Sequence, residues 1–118
     1  LAVAYRTELA SVVVDEAVAI AIYRIVQEAL RNALAHAGPC RVQVRVAACD
    51  GGFRVVIEDD GAGFDPALRR QAASLGLSSM RERARLAGLE LGIGSAPRQG
   101  TRIDIACTGQ SASPPWPA

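Results

Sequence analysis

IVQEALRNALAHA, residues 25–37, carries three polar side chains at four-residue spacing: Glu28, Asn32 and His36, with Arg24 one turn before them. Four residues advance about 400° around an α-helix, so each side chain lies about 40° from the last and the four form one stripe. Ile20, Ile22, Ile25, Val26, Ala29, Leu30, Ala33 and Leu34 give that stripe an almost continuous apolar surround. A carboxylate and an amide on such a helix are costly unless water, a metal or a ligand satisfies them. The stripe therefore reads as one wall of a polar site.

The flanking sequence builds the rest of the layer. Asp15 is a plausible N-cap, and Gly38-Pro39 stops the helix. Upstream, residues 2 to 8 alternate weakly and predict an edge strand. Downstream, Val42, Val44 and Val46 alternate with Arg41, Gln43 and Arg45. Asp50-Gly51-Gly52 is a hairpin signal, and Phe53, Val55 and Ile57 then alternate against Arg54, Val56 and Glu58. A short polar stretch, Asp65 to Ser74, leads to a second helix, Gly76 to Leu86, closed by Gly88. Leu89, Leu91 and Ile93 predict a strand, Ser95 to Gly100 a turn, and Thr101, Ile103, Ile105 and Cys107 the last strand. Strand, helix, hairpin, loop, helix, hairpin is an α+β order. It predicts a two-layer sandwich, a mixed and mostly antiparallel sheet covered on one face by helices.

Composition removes several classes of function. The chain has 118 residues, enough for one domain (1–107), and the Ser-, Pro- and Gly-rich tail 108–118 is expected to be disordered. No apolar run is long enough to cross a bilayer. A net charge of +1, with two Phe, two Tyr and one Trp, gives neither the basic surface nor the stacking platform of a nucleic-acid binder. Cys40, Cys49 and Cys107 are odd in number with no CxxC spacing, and read as free thiols. The chain begins at Leu1 without Met, on strand-like sequence, which suggests a piece of a longer protein.

Several residues carry candidate chemistry. Asn32 offers a neutral hard oxygen of the kind Mg²⁺ accepts, and Glu28 could hold a metal-bound water or act as a base. His36 is a candidate phosphate-side contact. Asp60, followed by Gly61 and Gly63, could accept a hydrogen bond from an exocyclic amine while the glycines turn with positive φ; a plain Asp-Gly turn is the alternative. Gly76-Leu77 opens a helix whose free amides can face phosphate oxygens. Gly100-Thr101 begins a strand with a hydroxyl that can reach a buried carboxylate or base.

The ordered set IVQEALRNALAHA (25–37), DDGAGF (59–64), GLSSMRERARLAG (76–88) and GTRIDI (100–105) resembles the N, G1, G2 and Gly-Thr boxes of the ATP-binding domain of sensor histidine kinases. The MRERA segment most resembles the subgroup of nitrate/nitrite sensors and the thermosensing lipid-desaturation kinase. The match spans about residues 15 to 107. It implies the Bergerat ATP-binding fold and MgATP as cofactor, with Asn32 and Glu28 at the metal and Asp60 reading the adenine amine. It implies a mobile lid from about Gly61 to Leu75, phosphate contacts at Gly76 and Leu77, and support of the adenine site by Thr101. Two positions depart from the family: Ala35 stands where Lys or Arg is common, and Ser74 where the lid usually ends with another glycine. Arg31 or a lid arginine could supply the positive charge that Ala35 does not bring to the phosphates.

By the same resemblance, the acceptor histidine lies on a separate dimerisation domain of the same protein and a response regulator takes the phosphate, in the cytoplasm. An anti-sigma factor serine kinase, whose N box also reads Glu-x-x-x-Asn, and a non-catalytic nucleotide-dependent binding module are the alternatives.

Overall fold

The computed structural model describes residues 2–7, 15–36, 38, 40–49, 52–65 and 67–107, so the expected tail lies outside the described residues. Helix α1 (Glu16–His36) starts beyond Asp15, whose carbonyl accepts from Ala19 N at 3.0 Å and closes the first turn. Its buried side is the four-residue series Ala21, Ile25, Ala29 and Ala33. Three alanines keep this face thin and let the helix lie close on the sheet, with Ile25 fully enclosed. The apolar surround is only partly buried, however. Ile20 and Leu34 are 50% and 70% exposed, because α1 is a surface helix that covers the sheet with one face.

The sheet has five strands: β1 (Ala2–Thr7), β2 (Arg41–Cys49), β3 (Gly52–Asp59), β4 (Glu90–Ser95) and β5 (Thr101–Cys107). Their spatial order is β1-β2-β3-β5-β4; β1 runs parallel to β2 and every other pairing is antiparallel. The expected first strand is thus an edge, and Cys49 faces Gly52 across the expected hairpin. Val42, Val44, Phe53, Val55, Ile57, Ile103 and Ile105 form the inner face. They pack with α1 and with Leu77, Met80 and Ala84 of helix α3 (Leu77–Leu86). On the opposite face Arg45 pairs with Glu58, and Arg102 Nε grips both oxygens of Asp104 at 3.1 and 3.0 Å. That pairing satisfies the one buried charge among the described residues.

One element is new. The polar stretch after Phe64 contains a short helix, α2 (Arg69–Ser74), entered through Leu68 without a side-chain cap. Gln71-Ala72-Ala73 are good helix formers, but six residues are too few to show a period. Cys40 and Cys107 are free thiols; the side chain of Cys49 lies outside the described residues.

Candidate functional site

Successive strand residues point to opposite sides of a sheet, so the inward series Phe53, Val55, Ile57 continues at Asp59. Asp59 accordingly lines a cavity between sheet and helices, together with Asn32 and His36 of α1, Phe64, and Thr101 and Ile103 of β5. The cavity holds about 220 Å³, far above the ~30 Å³ that one water occupies in the liquid. It has room for a flat base.

Asp60, expected to be the amine-reading carboxylate, does not line this cavity. It is exposed, its Oδ1 accepts from the backbone N–H of Arg41 at 2.7 Å, and its own N–H donates to the Arg41 carbonyl at 3.2 Å. Asp60 thus clasps the end of β3 to the start of β2, while the inward carboxylate is its neighbour. Asp59 Oδ1 accepts from Gly61 N at 2.9 Å, and the Thr101 backbone N–H also bonds the carboxylate. Burial pushes the Asp59 carboxyl above its ordinary pKa; the two N–H groups pull it down, the adjacent Asp60 charge raises it, and the net shift is upward.

A carboxyl whose pKa is raised on folding binds its proton more tightly in the folded chain than in the unfolded one. Asp59 therefore subtracts stability as pH rises through the window from its ordinary to its raised pKa. Thermal melts of the empty domain between about pH 4 and 7 are expected to show Asp59→Asn gaining on the wild type as pH rises. A difference between the two proteins that does not change with pH would overturn this.

The glycines divide their labour differently than expected. Gly61 keeps an ordinary φ and contributes its N–H to Asp59, whereas Gly63 alone turns with positive φ, at 65°. A Cβ on Gly63 would overlap the Ala96 carbonyl and come within 3.0 Å of that of Gly100, so the loop after β3 can press on the β4–β5 turn only without a side chain.

Asn32 presents the most informative geometry. Its Nδ2 donates to the Leu75 carbonyl at 2.6 Å, at the end of α2 and of the expected lid. A carbonyl can only accept, so the amide nitrogen must face Leu75 and Oδ1 is turned the other way. That Oδ1 is buried with no hydrogen-bond partner among the described residues. Leaving such an acceptor empty costs about 1–3 kcal/mol. A hard oxygen held fixed, buried and unsatisfied on a cavity wall suits a Mg²⁺ ion that keeps waters and phosphate oxygens as its other ligands.

Glu28 is not in this cavity. Its two oxygens take the Nε and Nη2 of Arg31, and it borders a neighbouring recess with Arg24, Ser79 and Arg83. Arg31 is thereby committed to Glu28, which raises the guanidinium pKa, and is not a free substitute for a cation at position 35. Gly76 is the N-cap of α3 in the left-handed conformation (φ 67°, ψ 24°), and the Glu28 carboxylate fills the space a Cβ would need. No side chain caps α3, so its first amides are left without a side-chain acceptor, as an anion site requires. The Leu77 side chain is instead an apolar wall of the cavity, 1% exposed.

His36 ends α1, exposed but lining the cavity. Thr101 stands opposite Asp59 in register, and its hydroxyl lies 3.0 Å from Ser95 Oγ. Gln71, Ser74 and Leu75 bring α2 and its C-terminal end to the cavity wall, with Gln71 Oε1 accepting from Asp65 N at 2.9 Å. Ser74 donates to the Gln71 carbonyl at 3.0 Å within α2. The strand alternation could have identified Asp59; Gln71 and Ser95 carry no signal outside the fold.

The chain is 41% identical over 91 residues to the signal transduction histidine-protein kinase/phosphatase DegS of Brevibacillus brevis, a match covering 77% of this chain and 23% of that protein. It is 40% identical over 90 residues to an uncharacterized sensor-like histidine kinase of Chloroflexus aurantiacus, covering 72% and 15%. The chain thus spans less than a quarter of the curated relatives it matches. The histidine kinase domain of the Erythrobacter litoralis EL346 blue-light activated kinase superposes with a TM-score of 0.71 at 30% identity, over 88% of this chain and 53% of that one. Residues 17–108 match the family described as histidine kinase-, DNA gyrase B- and HSP90-like ATPase, and the chain belongs to that family as a histidine-kinase ATPase domain.

Proposed function

We propose that this domain holds MgATP with adenine against Asp59 and Thr101 and its phosphates toward Asn32, His36 and the start of α3. It would present the γ-phosphate to a histidine on a separate dimerisation domain of the same protein, with a response regulator as final recipient. The observation that carries this reading is the buried, unpartnered Asn32 Oδ1 in the same cavity as the half-buried Asp59 carboxylate. Asn32 would hold the metal, which neutralises charge on the β- and γ-phosphate oxygens when bound. Glu28, one helical turn from Asn32 and bordering the adjacent recess, would hold a metal-bound water or act as a base at the phosphate end. The rest of the catalytic contribution is positioning.

Among the described residues no helix is long and apolar enough to cross a membrane. The membership in the histidine-kinase ATPase family supports a domain working in the cytoplasm with protein partners, and the net charge of +1 gives no basic surface for nucleic acid. The MRERA segment of α3 supports placement near the nitrate/nitrite-sensor subgroup.

The test is incubation with γ-labelled ATP, with and without an added dimerisation domain carrying an acceptor histidine. Acid-labile label is expected on the acceptor alone. His36 lines the cavity wall at the end of α1, a position that does not bring it in line with the γ-phosphate. Label on this chain by itself, lost in His36→Gln, would overturn the arrangement. Label on a serine would favour the anti-sigma kinase alternative, and no transfer despite ATP binding the non-catalytic module.

A further inference from the structure

Ser95 is the last residue of β4, paired in register with Thr101, and is not among the residues lining the nucleotide cavity. Its hydroxyl meets three partners. It lies 2.8 Å from the Gly100 carbonyl, 3.0 Å from the backbone N of Phe64 and 3.0 Å from Thr101 Oγ1. A hydroxyl has one proton and two lone pairs. The carbonyl can only accept, so Ser95 spends its proton on Gly100. The Phe64 N–H can only donate, so it takes one lone pair. The remaining lone pair must be met by a donor, and that donor is the Thr101 hydroxyl.

Thr101 has a single hydroxyl proton, and this network turns it toward Ser95. What Thr101 offers the cavity is therefore lone pairs alone. Asp59, opposite in register, offers a carboxylate. This end of the cavity is then made of acceptors on both strands. It suits an exocyclic amine, which has two N–H groups to give, and it opposes a carbonyl at the same position of the base.

We infer that Ser95 is a specificity-determining positioning residue: by fixing the Thr101 hydroxyl as an acceptor, it makes the cavity select a 6-amino over a 6-oxo purine nucleotide. The inference rests on the adenine reading of the cavity given above and adds the residue that sets its polarity. In Ser95→Ala the Thr101 hydroxyl becomes free to turn its proton into the cavity and donate to a 6-oxo group. Phe64 N–H loses its acceptor as well, but that loss weakens every nucleotide alike.

The experiment is calorimetric titration of the chain with ATP and with inosine triphosphate, which carries a carbonyl where ATP has the amine. The wild type is expected to prefer ATP by about tenfold or more. Ser95→Ala is expected to shrink the ATP-to-ITP ratio by roughly fivefold, with part of the change a gain in ITP binding. Thr101→Val should also shrink the ratio, and adding Ser95→Ala to it should change the ratio no further, since Ser95 acts through Thr101. Equal weakening of both nucleotides in Ser95→Ala would overturn the inference and leave Ser95 a purely structural tie. If Ser95→Ala does not fold, an unchanged ratio in Thr101→Val overturns it equally. A wild type that binds neither nucleotide would overturn the cavity reading itself, and the inference with it.

Discussion

Asp59→Ala is expected to weaken ATP binding by roughly ten- to a hundredfold, whereas Asp60→Ala should leave it within about twofold. The two residues are adjacent, identical in type and followed by the same glycines, and only the pleat separates them. Asp59 is on the inward register, half-buried, with one oxygen already taking the Gly61 N–H. An amine given to that carboxylate makes a charge-assisted hydrogen bond out of bulk water, and truncation leaves the amine unpaired. Asp60 faces solvent and holds the backbone of Arg41, so its loss loosens a strand end without touching the base. Calorimetry on both variants, with circular dichroism to confirm the fold, decides the matter. A large loss in Asp60→Ala with little in Asp59→Ala would restore the reading in which Asp60 meets the amine.

That contrast also shows how far the sequence could be read. The layers, the order of strands and helices, and the N-box helix were all legible, because each follows from a period of two or 3.6 and from turn residues at the ends. The alternation Phe53, Val55, Ile57 even contains the carboxylate that lines the cavity, one step further along. Adjacency to the glycines points to Asp60, but the pleat decides which side chains reach the core, and it turns Asp59 inward. Other features were not legible at all. Helix α2 has six residues. The pairing of Asn32 with the Leu75 carbonyl joins positions 43 apart; it depends on where elements settle against each other, and the local pattern does not encode that. Ser95 is the sharpest case, because its role is to orient another residue's proton. The Glu28–Arg31 pair, three residues apart on one helix, is by contrast a local pattern, and it competes with any use of Glu28 at the metal.

Asn32→Ala is expected to remove the Mg²⁺ dependence of nucleotide binding and to lower phosphoryl transfer, in a kinase carrying its acceptor domain, by at least about a hundredfold. The residue performs two tasks with one amide. Nδ2 holds the Leu75 carbonyl at the end of the lid, and that bond fixes the orientation that leaves Oδ1 free. Alanine loses both, so binding must be measured in two conditions to separate them. With the metal chelated, any difference between wild type and variant reports the lid tie alone, and a change of a fewfold is expected for one neutral hydrogen bond of about 1 kcal/mol. With Mg²⁺ present, the wild type should gain affinity and the variant should not. The fold is expected to persist, because Asn32 borders a cavity and the core neighbours Ala29 and Ala33 remain in place. Asn32→Asp is the complementary variant. It keeps an oxygen for the ion but sets a second acceptor against the Leu75 carbonyl, so it should retain Mg²⁺ dependence while loosening the lid. If Mg²⁺ strengthens ATP binding as much in Asn32→Ala as in the wild type, the orphaned oxygen is not a metal ligand, and its burial is a cost of anchoring the lid.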